Sequence, residues 1–175
     1  MQDPKKAVWG TCAGLILLSN KLEGAKLPSL PINNGCMSTR LGQKKGGQKI
    51  LGGLDVTCSR NYFGRQKDSF VTELEFAPQH NGTPSSGEEK EMESHSGKRF
   101  EAVFIRAPAI LSVDNPKEVE VLAELPFKTE EGKKLVVAVR QGRLMGTSFH
   151  PELTNDLFWH KYFVDVVKDT KAKAT

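Results

Sequence analysis

The sequence predicts an α/β domain, and three observations lead to it. Residues 7–18 change period at Cys12, from a short buried strand to an apolar helix. The second half is dominated by β-branched and apolar runs of strand length, at 100–108, 119–125, 135–140 and 143–149. The chain then closes on a helix over about 155–169, in which Phe158, Trp159, Tyr162, Phe163, Val166 and Val167 form an apolar stripe at spacings of three and four. At 175 residues, 38% of them hydrophobic, the chain is long enough for one core and too short for two large ones, so a single domain over 1–175 is expected.

The first strand ends at Cys12, and the helix after it is expected to run about ten residues, to near Leu22. Gly10 and Gly14 flank the cysteine, small residues that let a strand and a helix pack closely around a strained turn. A thiol at the first turn of a helix feels the positive end of the helix dipole, which favours the thiolate. A buried core cysteine is the competing reading.

Residues 24–48 hold Pro28, Pro31, Asn33-Asn34-Gly35 and Gly46-Gly47 without a sustained period, so they read as a long loop, with 25–42 as an insertion. Cys36 within it reads as an exposed thiol without a role. Strands are expected at 54–58 and 70–76, joined by a mixed polar and aromatic octet, 59–66. Arg60 in that octet has the chemistry to pair with a substrate carboxylate. Residues 79–98 are almost without apolar side chains and read as an exposed mobile loop, with His80 and His95 as solvated histidines. The strand over 100–108 ends at Arg106, a surface residue or an anion anchor, and Pro108 excludes a helical continuation. Residues 135–140 and 143–149 form a hairpin about Gln141-Gly142.

Composition removes several function classes. The net charge of +4 is modest and the basic residues are mixed with acidic ones, which gives nucleic-acid binding little support. Three cysteines, Cys12, Cys36 and Cys58, without CxxC spacing argue against a disulfide framework or a zinc site and fit a reducing, cytoplasmic compartment. No signal-peptide core is seen at the start, and the apolar run 13–18 is too short to cross a bilayer, so no membrane association is expected.

His150-Pro151-Glu152 follows the last strand. In an extended segment residues i and i+2 face the same way, so the Glu152 carboxylate can reach the His150 imidazole, with Pro151 holding the segment extended. A carboxylate-supported imidazole is what a thiol needs beside it as general base, and Cys12, His150 and Glu152 would make a cysteine–histidine–acid triad. A strand-end histidine with an incidental glutamate neighbour is the alternative, and a zinc site built on the three is disfavoured. His160 reads as a helix-surface or partly packed residue.

Four blocks, in this order, resemble the glutaminase subunits of pyridoxal 5′-phosphate synthase, a family of class I, triad-type glutamine amidotransferases. They are Trp9-Gly10-Thr11-Cys12-Ala13-Gly14-Leu15-Ile16-Leu17-Leu18, Arg60-Asn61-Tyr62-Phe63-Gly64-Arg65-Gln66, Phe104-Ile105-Arg106-Ala107-Pro108 and Ser148-Phe149-His150-Pro151-Glu152-Leu153-Thr154. The first and last blocks point to class I amidotransferases in general, and the middle two to the vitamin B6 branch. The resemblance implies a three-layer, flavodoxin-like α/β fold. It implies Cys12 as nucleophile on the side-chain amide of L-glutamine, His150 as proton shuttle and Glu152 as its orienter. It also implies the Ala13 amide as an oxyanion donor, with Arg60, Ile105 and Arg106 contacting the glutamine. Ammonia would pass to a (β/α)₈-barrel synthase subunit, and neither cofactor nor metal is implied for the glutaminase itself.

Two departures from the family pattern shape the expectation. The family's upstream segment, with its first strands and a Gly-Gly-Glu-Ser loop that supplies the other oxyanion donor, has no counterpart, so an N-terminally incomplete fold is expected. The stretch over 25–42 is extra sequence within the pattern. The alternative to a working glutaminase is therefore a catalytically impaired form that only binds the synthase subunit. A third reading is another cysteine hydrolase with the same triad.

Overall fold

The computed structural model describes residues 3, 5–23, 50–60, 62–63, 69–77, 95–128 and 134–173. The expectations for 24–48, including Cys36 and the 25–42 insertion, lie outside these residues, as do those for His80 and most of 79–98. In chain order the elements are β1 (Val8–Thr11), α1 (Ala13–Leu18), β2 (Ser19–Glu23), β3 (Leu54–Ser59), β4 (Phe70–Glu75), β5 (Arg99–Phe104), β6 (Ala109–Val113), β7 (Glu120–Lys128), β8 (Lys134–Gln141), β9 (Leu144–Thr147) and α2 (Phe158–Lys173).

A mixed sheet runs in the order β1-β9-β8-β6-β3-β2, and β7 joins it along β8. Val136 pairs with both Ile110 and Glu124, and Ala138 with both Thr147 and Ala123. Strand β8 therefore carries β7 on one edge and β9 followed by β6 on the other. The pairs β1/β9 and β2/β3 are parallel. The rest of this sheet is antiparallel, and β4 and β5 form a separate antiparallel hairpin.

Side-chain alternation along the strands sorts the core onto two faces. On β9, Leu144 joins Leu15, Leu18 and Leu54 under α1, whereas Met145 joins Phe149, Trp159 and Val166 under α2. The sheet is thus the middle of three layers, as expected of an α/β fold. On the α2 side the β4–β5 hairpin adds Phe76, Phe100 and Phe104 to an aromatic cluster, with the Phe100 and Trp159 rings edge-to-face at 5.0 Å. Arg140 ties β8 to the helix through a 3.1 Å bond from its Nη2 to Asp169 Oδ2.

Several expectations are corrected. Helix α1 has six residues, not ten, because Ser19 turns the chain to an extended conformation and its hydroxyl donates to the Ile16 carbonyl at 2.8 Å. Asn20 then bonds Asp55 and the Gly53 amide, which draws 19–23 into a parallel strand on β3. Strand β1 is only half-buried apart from Gly10. Strand β6 was not expected: the run to Pro108 breaks at Arg106, φ +47°, and the chain re-enters the sheet at Ala109. The C-terminal helix starts at Phe158, whose amide donates to Asp156 Oδ1 at 2.8 Å. His95 is not a free surface histidine. Its ring stands edge-on to Phe158 and Tyr162 at 5.6 Å each, and its Nε2 lies 3.6 Å from Asp165 Oδ2.

Candidate active site

Cys12 sits where β1 gives way to α1, with φ +46° and ψ −104°, a conformation that a β-carbon disfavours. The turn is held from three sides. The Cys12 amide donates to the Thr147 carbonyl of β9 at 2.8 Å, its carbonyl accepts the Ile16 amide at 3.3 Å, and Gly10 lies against the Gly14 backbone. Parallel pairing of Thr11 with Thr147 brings the chain after β9, and with it His150, to the same end of the sheet as Cys12.

The His150 amide is fixed by the Val103 carbonyl of β5 at 2.9 Å. Its Nδ1 lies 2.7 Å from Glu152 Oε1, so the histidine–carboxylate pair expected from the sequence forms. The route differs from the expected one. Pro151 opens a 3₁₀ turn, Pro151–Leu153, that swings Glu152 back to the ring, and the segment is not a continued strand. With Nδ1 committed to the carboxylate, the tautomer that donates from Nδ1 leaves the Nε2 lone pair free to accept a proton.

The Cys12 Sγ points to the Ile105 carbonyl at 3.9 Å. Its thiol is pushed up from the ordinary cysteine value, first because it is half-buried and then because the Glu152 charge opposes the thiolate. The Ala13 amide bonds the thiolate and the Arg106 guanidinium attracts it, and both act in the other direction without prevailing. This corrects the expectation of a thiolate favoured by the helix end. A six-residue helix has a small dipole, and desolvation outweighs it. Cys12 is therefore a neutral thiol at rest and would need a base to act as a nucleophile. Replacing Arg106 by glutamine removes one of the attractive charges, so the thiol rises further. Alkylation of Cys12 at neutral pH is expected to slow by a factor of roughly two to five and its pH profile to move to the alkaline side, read by mass spectrometry of the Cys12 peptide.

Arg106, exposed and at positive φ, and Ile105 form the turn between β5 and β6. Arg60 is exposed just beyond β3, and the register Ser59↔Ala109 sets it at the same end of the β3–β6 pair as residues 105–108. His160 is exposed on α2 and its ring faces Trp9, with centroids 5.3 Å apart. Thr147 was not singled out from the sequence. The available signal was a threonine in an otherwise apolar and glycine strand, Leu144–Thr147. No helix among the described residues is long and apolar enough to cross a membrane.

Comparison with known proteins places this geometry. The model of the SNO glutamine amidotransferase family matches residues 1–169. The chain is 42% identical over 166 residues to the probable pyridoxal 5'-phosphate synthase subunit pdx2 of Dictyostelium discoideum, a match covering 91% of this chain and 55% of that protein. It is 37% identical over 187 residues to the probable pyridoxal 5'-phosphate synthase subunit PDX2 of Arabidopsis thaliana, covering 97% and 61%. An uncharacterized glutaminase of Schizosaccharomyces pombe is 40% identical over 162 residues, covering 93% and 56%. A crystal structure of a glutamine amidotransferase superposes with a TM-score of 0.60 at 32% identity, over 93% of this chain and 61% of that one. The three-layer sheet is accordingly that of the flavodoxin-like class I amidotransferases. The chain spans about 55–61% of the length of these relatives.

Proposed function

We propose, since this chain belongs to the SNO glutamine amidotransferase family, that it is a glutaminase of pyridoxal 5′-phosphate synthesis, which hydrolyses L-glutamine to L-glutamate and ammonia. The single observation that supports this best is the site itself. A strained thiol turn and a histidine–carboxylate pair at 2.7 Å follow the paired ends of parallel strands β1 and β9, and this supports the reading.

In this reading His150 Nε2 takes the Cys12 proton as Sγ attacks the side-chain amide carbon of glutamine. The Ala13 amide donates to the oxyanion, and Glu152 holds and supports the imidazolium. The proton passes to the leaving nitrogen, ammonia departs, and a thioester remains. Water, activated by the same imidazole, then releases glutamate and restores the thiol. Arg60, Ile105 and Arg106 contact the substrate, Arg60 and Arg106 by charge to its α-carboxylate. Ammonia goes to a (β/α)₈-barrel synthase subunit, in the cytoplasm, from one domain that spans 1–175.

The alternative is binding to the synthase without turnover. The test is ammonia release from glutamine by the purified chain, with and without a barrel-type synthase subunit, against Cys12→Ala. Release that needs the partner and vanishes in Cys12→Ala is the expected result. A folded chain that binds the synthase and releases none leaves the binding reading.

A further inference from the structure

Thr147 is fully buried at the end of β9, and its backbone already serves the nucleophile by accepting the Cys12 amide at 2.8 Å. Its side chain turns the other way. The hydroxyl accepts the indole Nε1–H of Trp9 at 3.2 Å and donates to the Phe149 carbonyl at 3.4 Å. The polarity of this chain is fixed, because an indole N–H can only donate. The threonine oxygen must receive that proton and turn its own toward the carbonyl. Phe149 is the residue before His150, whose amide is pinned to Val103 on β5. The Trp9 ring that orients the hydroxyl is itself set against His160 and Phe163 of α2, at 5.3 and 5.5 Å.

We propose that Thr147 is a positioning residue of the triad: its carbonyl holds the nucleophile and its hydroxyl, oriented by Trp9, holds the backbone that carries the base. This rests on the triad reading above. The hydroxyl is the link between the two halves of the site that a side-chain substitution can remove without touching either half. Valine has nearly the same shape and makes neither bond, and it leaves the indole N–H without its acceptor. Serine keeps the hydroxyl.

The test compares wild type, Thr147→Val and Thr147→Ser in the 175-residue chain. Each is confirmed folded by circular dichroism, and the rate of Cys12 alkylation by iodoacetamide is followed against pH by mass spectrometry of the Cys12 peptide. With the base no longer held beside the thiol, Thr147→Val is expected to slow alkylation at neutral pH by a factor of about three to ten, the factor that one hydrogen bond commands. Its profile should move to the alkaline side, and Thr147→Ser should keep the wild-type profile.

A folded valine variant with the wild-type profile overturns the proposal. So does a serine variant that shifts as far as the valine one, since the hydroxyl would then not be the cause. If Thr147→Val does not fold, Trp9→Phe removes only the donor that orients the hydroxyl. It is expected to shift the profile in the same direction, and no shift overturns the proposal. Alkylation needs no glutamine turnover, so a chain that shows the shift but releases no ammonia even with the synthase subunit refutes the glutaminase reading and leaves this one standing. Where turnover is measurable, Thr147→Val is expected to lower kcat with KM little changed, as for a group that acts on the chemistry and not on binding.

Discussion

His150→Ala, on the proposed glutaminase reading, is expected to lower kcat for glutamine hydrolysis on the order of 10⁴-fold, with KM changed little, measured with the synthase subunit present. The size follows from the state of the thiol. A cysteine whose thiol were held low would already be a thiolate at neutral pH and would lose only the later proton transfer to ammonia. Here burial and the Glu152 charge push the thiol up, so attack itself requires that a base remove the proton. In the proposed reading His150 is that base, its Nδ1 held by the Glu152 carboxylate at 2.7 Å. Glu152→Gln should cost less, about 10²-fold, because Glu152 acts through the imidazole and is nearly half exposed on its side chain, where water shares its duty. A wild-type kcat in folded His150→Ala would mean that the thiol ionises by another route. Alkylation of Cys12 provides a readout that does not depend on turnover, and it should slow in the same variant.

Which parts of this site were legible in the sequence depends on how local the physics was. The Cys12 turn could be read because it is written in five consecutive residues, Gly10 to Gly14, where the period changes and the glycines fall on either side. The His150–Glu152 contact could be read from a spacing of two, although the backbone reaches it through a 3₁₀ turn. Strand β6 and the shortened α1 could not be read, because each depends on partners far along the chain. Asp55 and Gly53 hold Asn20, and Ser59 pairs with Ala109. The resting state of the thiol was misread for the same reason. The helix end is a local feature that argues for the thiolate, whereas burial is a product of the whole fold and Glu152 lies 140 positions along the chain, and these win. Thr147 shows the limit most clearly: its partners are Trp9 and Phe149, and only the folded register of β1 on β9 brings the indole to it.

Gly10→Ala is expected to destabilise the fold by about 3 kcal/mol or more, seen as a fall in the denaturant midpoint at unchanged slope. An added β-carbon would lie 2.5 Å from the Gly14 carbonyl oxygen and 2.8 Å from the Leu15 nitrogen, both of them backbone of α1. Backbone cannot rotate away, so the helix must lift from the strand. That would open the face on which Leu15 and Leu18 are buried and release the turn that strains Cys12. Gly146 on the neighbouring strand sets the comparison. A β-carbon there would meet Leu15 Cδ1 at 2.5 Å and Leu54 Cδ1 at 3.0 Å, the ends of side chains that can change rotamer. Gly146→Ala should therefore cost less, about 1–2 kcal/mol. Equal losses at the two positions would show that α1 is not locked on β1 by backbone contact. A larger loss at Gly10 ties the strain at Cys12 to the same contact that holds the helix, so the residue that permits close packing also sets the geometry of the thiol.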